Sequence, residues 1–325
     1  MALIRDQRLV PLAREVDIYV ARELAARMAA DVGFDQYACA DIETAISELC
    51  SNAIKYGGGG WASLRVSVEG FDAVVTDEGP GIEAPPGKKV GLGVGLEGAG
   101  RLMDILEVRQ LERGTQVAMS KSHPIGPRRD TGSWEASAVT RAKRGKTVSG
   151  DRWWAGGSED VLLAVVADGL GSGPAAAEAA GAVVDTISRQ AFDAPLDEMI
   201  AAADKAAEST RGAVAMVVRA APPLLEVCGV GDINGKAEPS GVALGVRPGI
   251  VGVDISRMVV DEVEWHGRGQ LFMWTDGVES PLTNDLYEAE GGPTPDRLDE
   301  LILTYGLHSD DALLMVASSR WTEDG

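Results

Sequence analysis

Glycine is gathered between residues 77 and 115 in three ordered groups. Asp77-Glu78-Gly79-Pro80-Gly81 closes an apolar run, Gly91-Leu92-Gly93-Val94-Gly95-Leu96-Glu97-Gly98 follows ten residues on, and Gly114-Thr115 comes last. Upstream, Glu48 and Asn52 stand four apart in a stretch with helical spacing, so they share one helix face. Glycine makes up 40 of the 325 residues, about 12%, against a usual level of roughly 7%. The excess lies at these groups rather than in a low-complexity tract, which reads as sharp turns and close backbone approach to a ligand.

Each group alone is common. A glycine-rich segment is more often a plain loop, a Glu–Asn pair is usually a solvated helix face, and the pattern GxxxxGK[ST] is absent. In this order they fit one nucleotide pocket. Asp77, at a strand's end, can accept a hydrogen bond from the amino group of a purine, and Gly79 and Gly81 let the chain turn there. The backbone N–H groups of Gly91–Gly98, with the helix expected over Ala99–Leu106, form an anion site for phosphates. Asn52 offers a neutral oxygen to a Mg2+ shared with those phosphates. Glu48, one turn earlier, suits a general base acting on an attacking hydroxyl.

The surrounding elements read as helices over Asp17–Ala30 and Asp35–Tyr56, then strands over Ala62–Val68 and Phe71–Thr76 joined by a turn at Glu69-Gly70. The inward face of the second helix is Ile42, Ala45, Ile46, Leu49 and Ala53, and Gly57–Gly60 ends it. On Glu48…Asn52-Ala53, Asp77-x-Gly-x-Gly81, Gly91-x-Gly-x-Gly95 and Gly114-Thr115, the segment 10–121 resembles the GHKL (Bergerat-fold) ATPases. Ala45-Ile46-Ser47-Glu48-Leu49 and Gly93–Asp104 are most similar to the RsbT-type switch kinases among them. The resemblance implies a Bergerat α/β sandwich that uses ATP. Asn52 would hold Mg2+, Glu48 would activate a substrate serine or threonine, and Asp77 would bind adenine. Gly91–Gly95 with Leu96 would form a short lid over the triphosphate, and Thr115 would complete the pocket. It implies STAS-domain proteins as targets.

A chain of 325 residues is long for one domain, so two are expected. The first covers residues 1–121. Residues 122–131, with Pro124, Gly126, Pro127, Arg128 and Arg129, carry no helix or strand period and read as a linker. The second covers 132–325. Its strand-like runs are Ala136–Ala142, Val161–Ala167, Val214–Arg219, Leu224–Val230, Leu271–Thr275 and Leu313–Ala317. Helical stretches over Pro174–Gln190 and Leu196–Ser209 interrupt them, which suggests a layered α/β domain rather than a βαβ repeat.

Aspartates sit at the ends of these runs: Asp151 after Ser149-Gly150, Asp168 before Gly169, Asp276 before Gly277, and Asp310-Asp311 before the last strand. A lone Asp-Gly is usually a turn. Several that converge at one sheet edge would repel unless divalent cations neutralised them, and oxygen-only ligation favours Mg2+ or Mn2+. Two such ions can acidify a water and aim it at a phosphate monoester. Val148-Ser149-Gly150-Asp151, Ala167-Asp168-Gly169-x-Gly171-x-Gly173, Thr275-Asp276-Gly277 and Asp310-Asp311-Ala312 resemble the SpoIIE/RsbX branch of the protein phosphatase 2C superfamily. That resemblance implies an α/β/β/α sandwich with Asp168 bridging two Mn2+ or Mg2+. The Gly169 carbonyl, Asp276 and Asp310 would complete the sites, with Asp151 nearby. Asp232, in Gly229-Val230-Gly231-Asp232, stands where this branch usually has Asn; it is either a further metal ligand or a turn residue.

The net charge of −20 argues against nucleic-acid and anionic-membrane partners. Three widely spaced cysteines, no CxxC pair and no run of about 18 apolar residues favour a reduced, cytoplasmic protein. The expectation is a bifunctional kinase and phosphatase acting on STAS-domain partners. The alternative is a nucleotide-dependent anti-sigma module that sequesters a sigma factor or stressosome protein, fused to a phosphatase, and a downstream phosphatase or sigma-factor regulator is a further partner the resemblance implies; only the kinase needs Glu48 as a base.

Overall fold

The computed structural model describes residues 3–67, 69–81, 94–123, 134–158, 160–238, 240–255, 258–265, 269–279 and 295–319. It falls into two compact units, one over residues 5–129 and the other over residues 130–325 with residues 1–4. In the first unit β1 (Leu3–Leu12) leads into α1 (Glu15–Asp31) and α2 (Gln36–Gly57). The bounds of α2 have local causes. The Asp35 carboxylate caps its start by accepting the N–H groups of Tyr37 and Ala38 at 3.0 and 2.8 Å. Ile42, Ala45, Ile46, Leu49 and Ala53 are buried, as their spacing requires. The helix stops where Gly58 takes φ +73°, a left-handed conformation that costs glycine nothing.

The chain continues through β2 (Gly60–Val66), β3 (Gly70–Asp77), α3 (Val94–Leu102), β4 (Ile105–Gln110) and β5 (Thr115–Ser122). The strands of this unit run antiparallel in the order β1-β2-β3-β5-β4. Side chains from α1 and α2 share one core with Leu64, Phe71, Val75 and Met119 of the sheet. The helix expected over Ala99–Leu106 instead ends at Leu102. The Asp104 N–H already donates to the Ser120 carbonyl, and the Asp104 carboxylate accepts the Ser122 N–H at 2.8 Å, which commits the chain to β4.

The second unit comprises β6 (Trp134–Arg141), β7 (Asp151–Gly157), β8 (Leu162–Gly169), α4 (Pro174–Ser188), α5 (Leu196–Ala207), β9 (Ala213–Ala221) and β10 (Leu224–Val230). There follow β11 (Asn234–Glu238), β12 (Val242–Ala243), β13 (Gly249–Ile250), β14 (Asp254–Ile255), β15 (Asp261–Glu264), β16 (Gln270–Trp274), α6 (Pro295–Tyr305) and β17 (Ala312–Ser319). Two sheets, β12-β11-β16-β17-β6 and β15-β10-β9-β8-β7, face each other. Helices α4 and α5 cover the second sheet, and α6 packs on β6 and β17 of the first. The result is the α/β/β/α sandwich.

Strand β8 explains why its sequence is continuously apolar rather than alternating. Leu162, Ala164 and Val166 point between the sheets, whereas Leu163, Val165 and Ala167 point under the helices. Burying each leucine contributes about 1.5–3 kcal/mol. The small residues of α4 let it approach closely: a Cβ on Gly169 would collide with the Ala176 carbonyl. Cys39, Cys50 and Cys228 are free thiols. No helix of the described residues is long and apolar enough to cross a membrane.

Candidate active sites

The nucleotide-type site of the first unit forms where α2, the end of β3 and the start of β5 meet. Asp77, half-buried at the last position of β3, is its centre. Its Oδ1 accepts the N–H of Gly79 at 2.9 Å and that of Thr115 at 3.2 Å. Oδ2 accepts no hydrogen bond among the described residues, which leaves an acceptor free for an amino group. Backbone packs round this carboxylate so tightly that side chains are excluded. A Cβ on Gly57 would strike the Asp77 side chain, and one on Gly114 would strike the Asp77 carbonyl. Gly81, at φ +82°, lies against the Gln110 amide, which donates to the Gly114 carbonyl at 2.9 Å.

Glu48 is exposed and Asn52 half-buried, one turn apart on α2. Gly95, in the first turn of α3, lies against the Glu48 carboxylate; a Cβ there would run into its Oε2. Leu96 packs at the edge of the unit's core, and Thr115 is buried. The structure therefore gathers Asp77, Gly79 and Thr115 at one point and Glu48 and Gly95 at another. Gly91 and Gly93 lie outside the described residues. Gly57 and Gln110 are contributors that the sequence reading used only as a helix stop or not at all; the tetraglycine run was the available signal.

In the second unit Asp168, Asp232, Asp276 and Asp310 line one open cavity of about 710 Å3, together with Lys143. Crowding shows in their protonation. Burial, then Asp276, Asp310 and Asp232, pushes the Asp168 carboxyl up to about 7. Burial, then Asp310 and Asp232, also raises Asp276. No three of these carboxylates close on a single point as a finished cage among the described residues. They line the cavity as an open set of like charges.

Asp151 lies beneath this set, not in it. It is fully buried at the start of β7 and is the register partner of Asp168 on β8. The Thr275 hydroxyl donates to its Oδ2 at 2.9 Å. Its Oδ1 meets no N–H or hydroxyl donor among the described residues, and the Asp168 carboxyl lies close enough to share a proton with Asp151. Burial first, then the charges of Asp168 and Asp311, holds its pKa well above the ordinary range. A buried carboxyl oxygen that meets no protein N–H or hydroxyl, behind four aspartates lining one cavity, belongs to a donor set that fits hard divalent cations. The Gly169 carbonyl faces Gly150.

Two residues without an assigned role from sequence anchor the arrangement. Asp311, 3% exposed, accepts the N–H of Lys143 at 2.6 Å and of Gly150 at 2.8 Å. Thr275 bridges Asp151 and the Leu313 N–H, which donates to its hydroxyl at 3.0 Å. Both belong to the dipeptides Asp310-Asp311 and Thr275-Asp276, so the signal was present but pointed to the neighbouring aspartate.

Comparison with known proteins agrees with both halves. Residues 12–121 match the histidine kinase-like ATPase domain family. The serine/threonine-protein kinase RsbT of Bacillus subtilis (strain 168) is 35% identical over 132 residues, covering 36% of this chain and 98% of that protein. The phosphoserine phosphatase RsbX of the same organism is 32% identical over 77 residues, 24% of this chain and 38% of that protein. The solved structure of RsbX in complex with magnesium superposes with a TM-score of 0.51 at 19% identity, over 66% of this chain and 100% of that one. That share exceeds what the first unit could supply, and it speaks to fold. A chain from the bacterial stressosome, a modular system adapted to control secondary messenger signalling, has a TM-score of 0.51 at 26% identity over 57% of this chain and 98% of its own. Through its first unit, the chain belongs to the RsbT family of serine/threonine-protein kinases within the histidine kinase-like ATPases.

Proposed function

We propose that this protein sets the phosphorylation of STAS-domain partners in both directions, within a stressosome-type pathway. The first unit transfers the γ-phosphoryl group of ATP to a partner serine or threonine. The second hydrolyses such phosphates. The observation that carries the reading is their coexistence in one chain: a unit matching almost the whole of a serine/threonine kinase, and a separate cavity ringed by four aspartates.

In the kinase unit Asp77 presents its free Oδ2 to the adenine amino group, its other oxygen being fixed by two backbone donors. Asn52 would hold Mg2+ with the phosphates. Glu48, kept against the first turn of α3 by Gly95, takes the proton of the attacking hydroxyl. Gly79, Gly81, Gly91, Gly93, Leu96 and Thr115 would shape the pocket round the nucleotide. In the phosphatase unit Asp168, Asp276, Asp310 and the Gly169 carbonyl would hold two Mn2+ or Mg2+, with Asp151 supporting Asp168 from below and Asp232 at the rim. The ions, when bound, neutralise phosphate charge and acidify a water. Linking the units raises the local concentration of each at a shared partner.

The test uses the intact chain, ATP, Mn2+ and a panel of STAS-domain proteins, with partner phosphate followed by intact-mass spectrometry. Glu48→Gln should stop phosphate addition but still bind partner. Equal phosphorylation by both would remove Glu48 from the mechanism. A chain that binds partner but never changes its phosphate would instead be a sequestering module.

A further inference from the structure

Arg141 is a charged side chain buried where the mechanism gives it no task. It ends β6, is 2% exposed, and its register partner Ala312 follows Asp311 directly. Its Nη2 donates to the Leu307 carbonyl at 2.7 Å. Gly306 makes room for it, since a Cβ there would lie 3.0 Å from Nη2. Its Nε and Nη1 find no partner among the described residues. A guanidinium held this way is costly, and apolar residues of similar volume often replace buried ion pairs without loss of stability. Filling space therefore does not account for an arginine here. What it adds is direction and charge.

We propose that Arg141 is a positioning residue for the aspartate-ringed site: it pins residues 306–311 through the Leu307 carbonyl, sets a positive charge one register position from Asp311, and so fixes where Asp310 and Asp276 stand. The hydrogen bonds of this segment transmit the constraint. The Leu307 carbonyl also accepts the Asp310 N–H at 3.2 Å, and the Leu307 N–H donates to the Gly277 carbonyl at 2.7 Å, next to Asp276. Asp311 N–H donates to the Asp310 carboxylate at 2.9 Å. Asp311 in turn accepts Gly150 N–H, next to Asp151. One buried cation thus stands behind Asp276 and Asp310, which line the cavity from two separate segments, and behind Asp151 beneath them.

The inference rests on the metal-hydrolase reading of the second unit, and the experiment separates the two. Mn2+ binding to the full chain without nucleotide is read from the free-ion electron paramagnetic resonance signal. Arg141→Met should bind Mn2+ at least about tenfold more weakly, the effect size of outer-shell supports of metal ligands. Its circular dichroism and its melting in EDTA should stay close to wild type. Arg141→Lys, which keeps the charge but not the fork of donors, should recover part of the affinity. On an Asp311→Asn background, Arg141→Met should cost clearly less than it does alone, because the two act as a unit. Wild-type Mn2+ affinity in folded Arg141→Met overturns the inference, as does an undiminished loss on the Asp311→Asn background. If Arg141→Met does not fold, Arg141→Lys decides: weaker Mn2+ binding supports the role and unchanged binding overturns it. Absence of Mn2+ binding by the wild-type chain would sink both the inference and the reading beneath it.

Discussion

Asp77 in the first unit and Asp168 in the second are both aspartates at the C-terminal ends of strands, with a glycine within two residues, yet their surroundings differ in kind. Two backbone N–H groups converge on Asp77 and leave its second oxygen free. Asp168 instead faces Asp276, Asp310 and Asp232 across a cavity, with Asp151 behind it, and is pushed up to about 7. The first arrangement is satisfied on one oxygen by the polypeptide itself and keeps the other open to a neutral donor. The second is unsatisfied without added positive charge. The same residue type at the end of a strand thus suits a neutral donor in one place and a cation in the other, and its neighbours decide which.

Asp168→Asn should break the contrast most severely. Removing the central metal-facing carboxylate is expected to cut phosphoserine hydrolysis roughly 1000-fold or more, several kcal/mol of transition-state stabilisation. The kinase reaction of the same chain should be unchanged. Because the substitution also relieves repulsion in the metal-free state, melting in EDTA should rise, as functional sites often gain stability when disarmed. Differential scanning calorimetry beside a phosphopeptide assay reads both.

Glu48→Gln comes next. Loss of a general base is expected to slow phosphoryl transfer about 100-fold or more while ATP affinity, followed by isothermal titration calorimetry, moves little. A parallel loss of ATP binding would make Glu48 part of the nucleotide pocket instead. Asp77→Asn should be milder. It keeps an oxygen to accept the Gly79 and Thr115 N–H groups but sets an NH2 donor where Oδ2 would accept the adenine amino group, so nucleotide affinity should fall at least about tenfold, near 1.4 kcal/mol or more. The same titration measures it.

Much of the fold could be read from the chain, and the exceptions have causes. Helix α2 was legible because its cap, apolar stripe and glycine stop agree. Strand β7 was not, since Arg152, Trp153 and Trp154 are all half-buried and Gly156-Gly157 follow, so neither alternation nor a continuous apolar run marks it. Helix α6 carries a weak period behind Pro295 and was missed as well. At the sites, residue types that recur in motifs could be identified from sequence. The supports, Asp311, Thr275, Gln110 and Arg141, act through packing between segments far apart in the chain, and no local pattern encodes that.

Protonation offers a gentler probe of the same comparison. An unfolded aspartate titrates near 3.9, whereas folded, metal-free Asp168 holds its proton to about 7. The folded state binds more protons over that interval, so its contribution is full below about pH 4 and is lost as pH rises through about 7. Melting of the metal-free second unit should therefore fall across this window, by an amount on the order of a few kcal/mol at most. Mn2+ should reverse the trend, with a stabilisation that grows with pH as the aspartates ionise. Thermal melts with EDTA or Mn2+ between pH 5 and 8 would display the two slopes. Equal slopes would mean that the aspartates are not the metal site.

The most direct measurement follows phosphate on one STAS-domain partner, by intact-mass spectrometry, with ATP and Mn2+ and two single-site variants of the full chain. Asp168→Asn should drive unmodified partner to the phosphorylated form and hold it there, and Glu48→Gln should strip a pre-phosphorylated partner and leave it bare. Two variants that leave phosphate levels the same as each other would contradict the claim that one chain holds two opposed active sites.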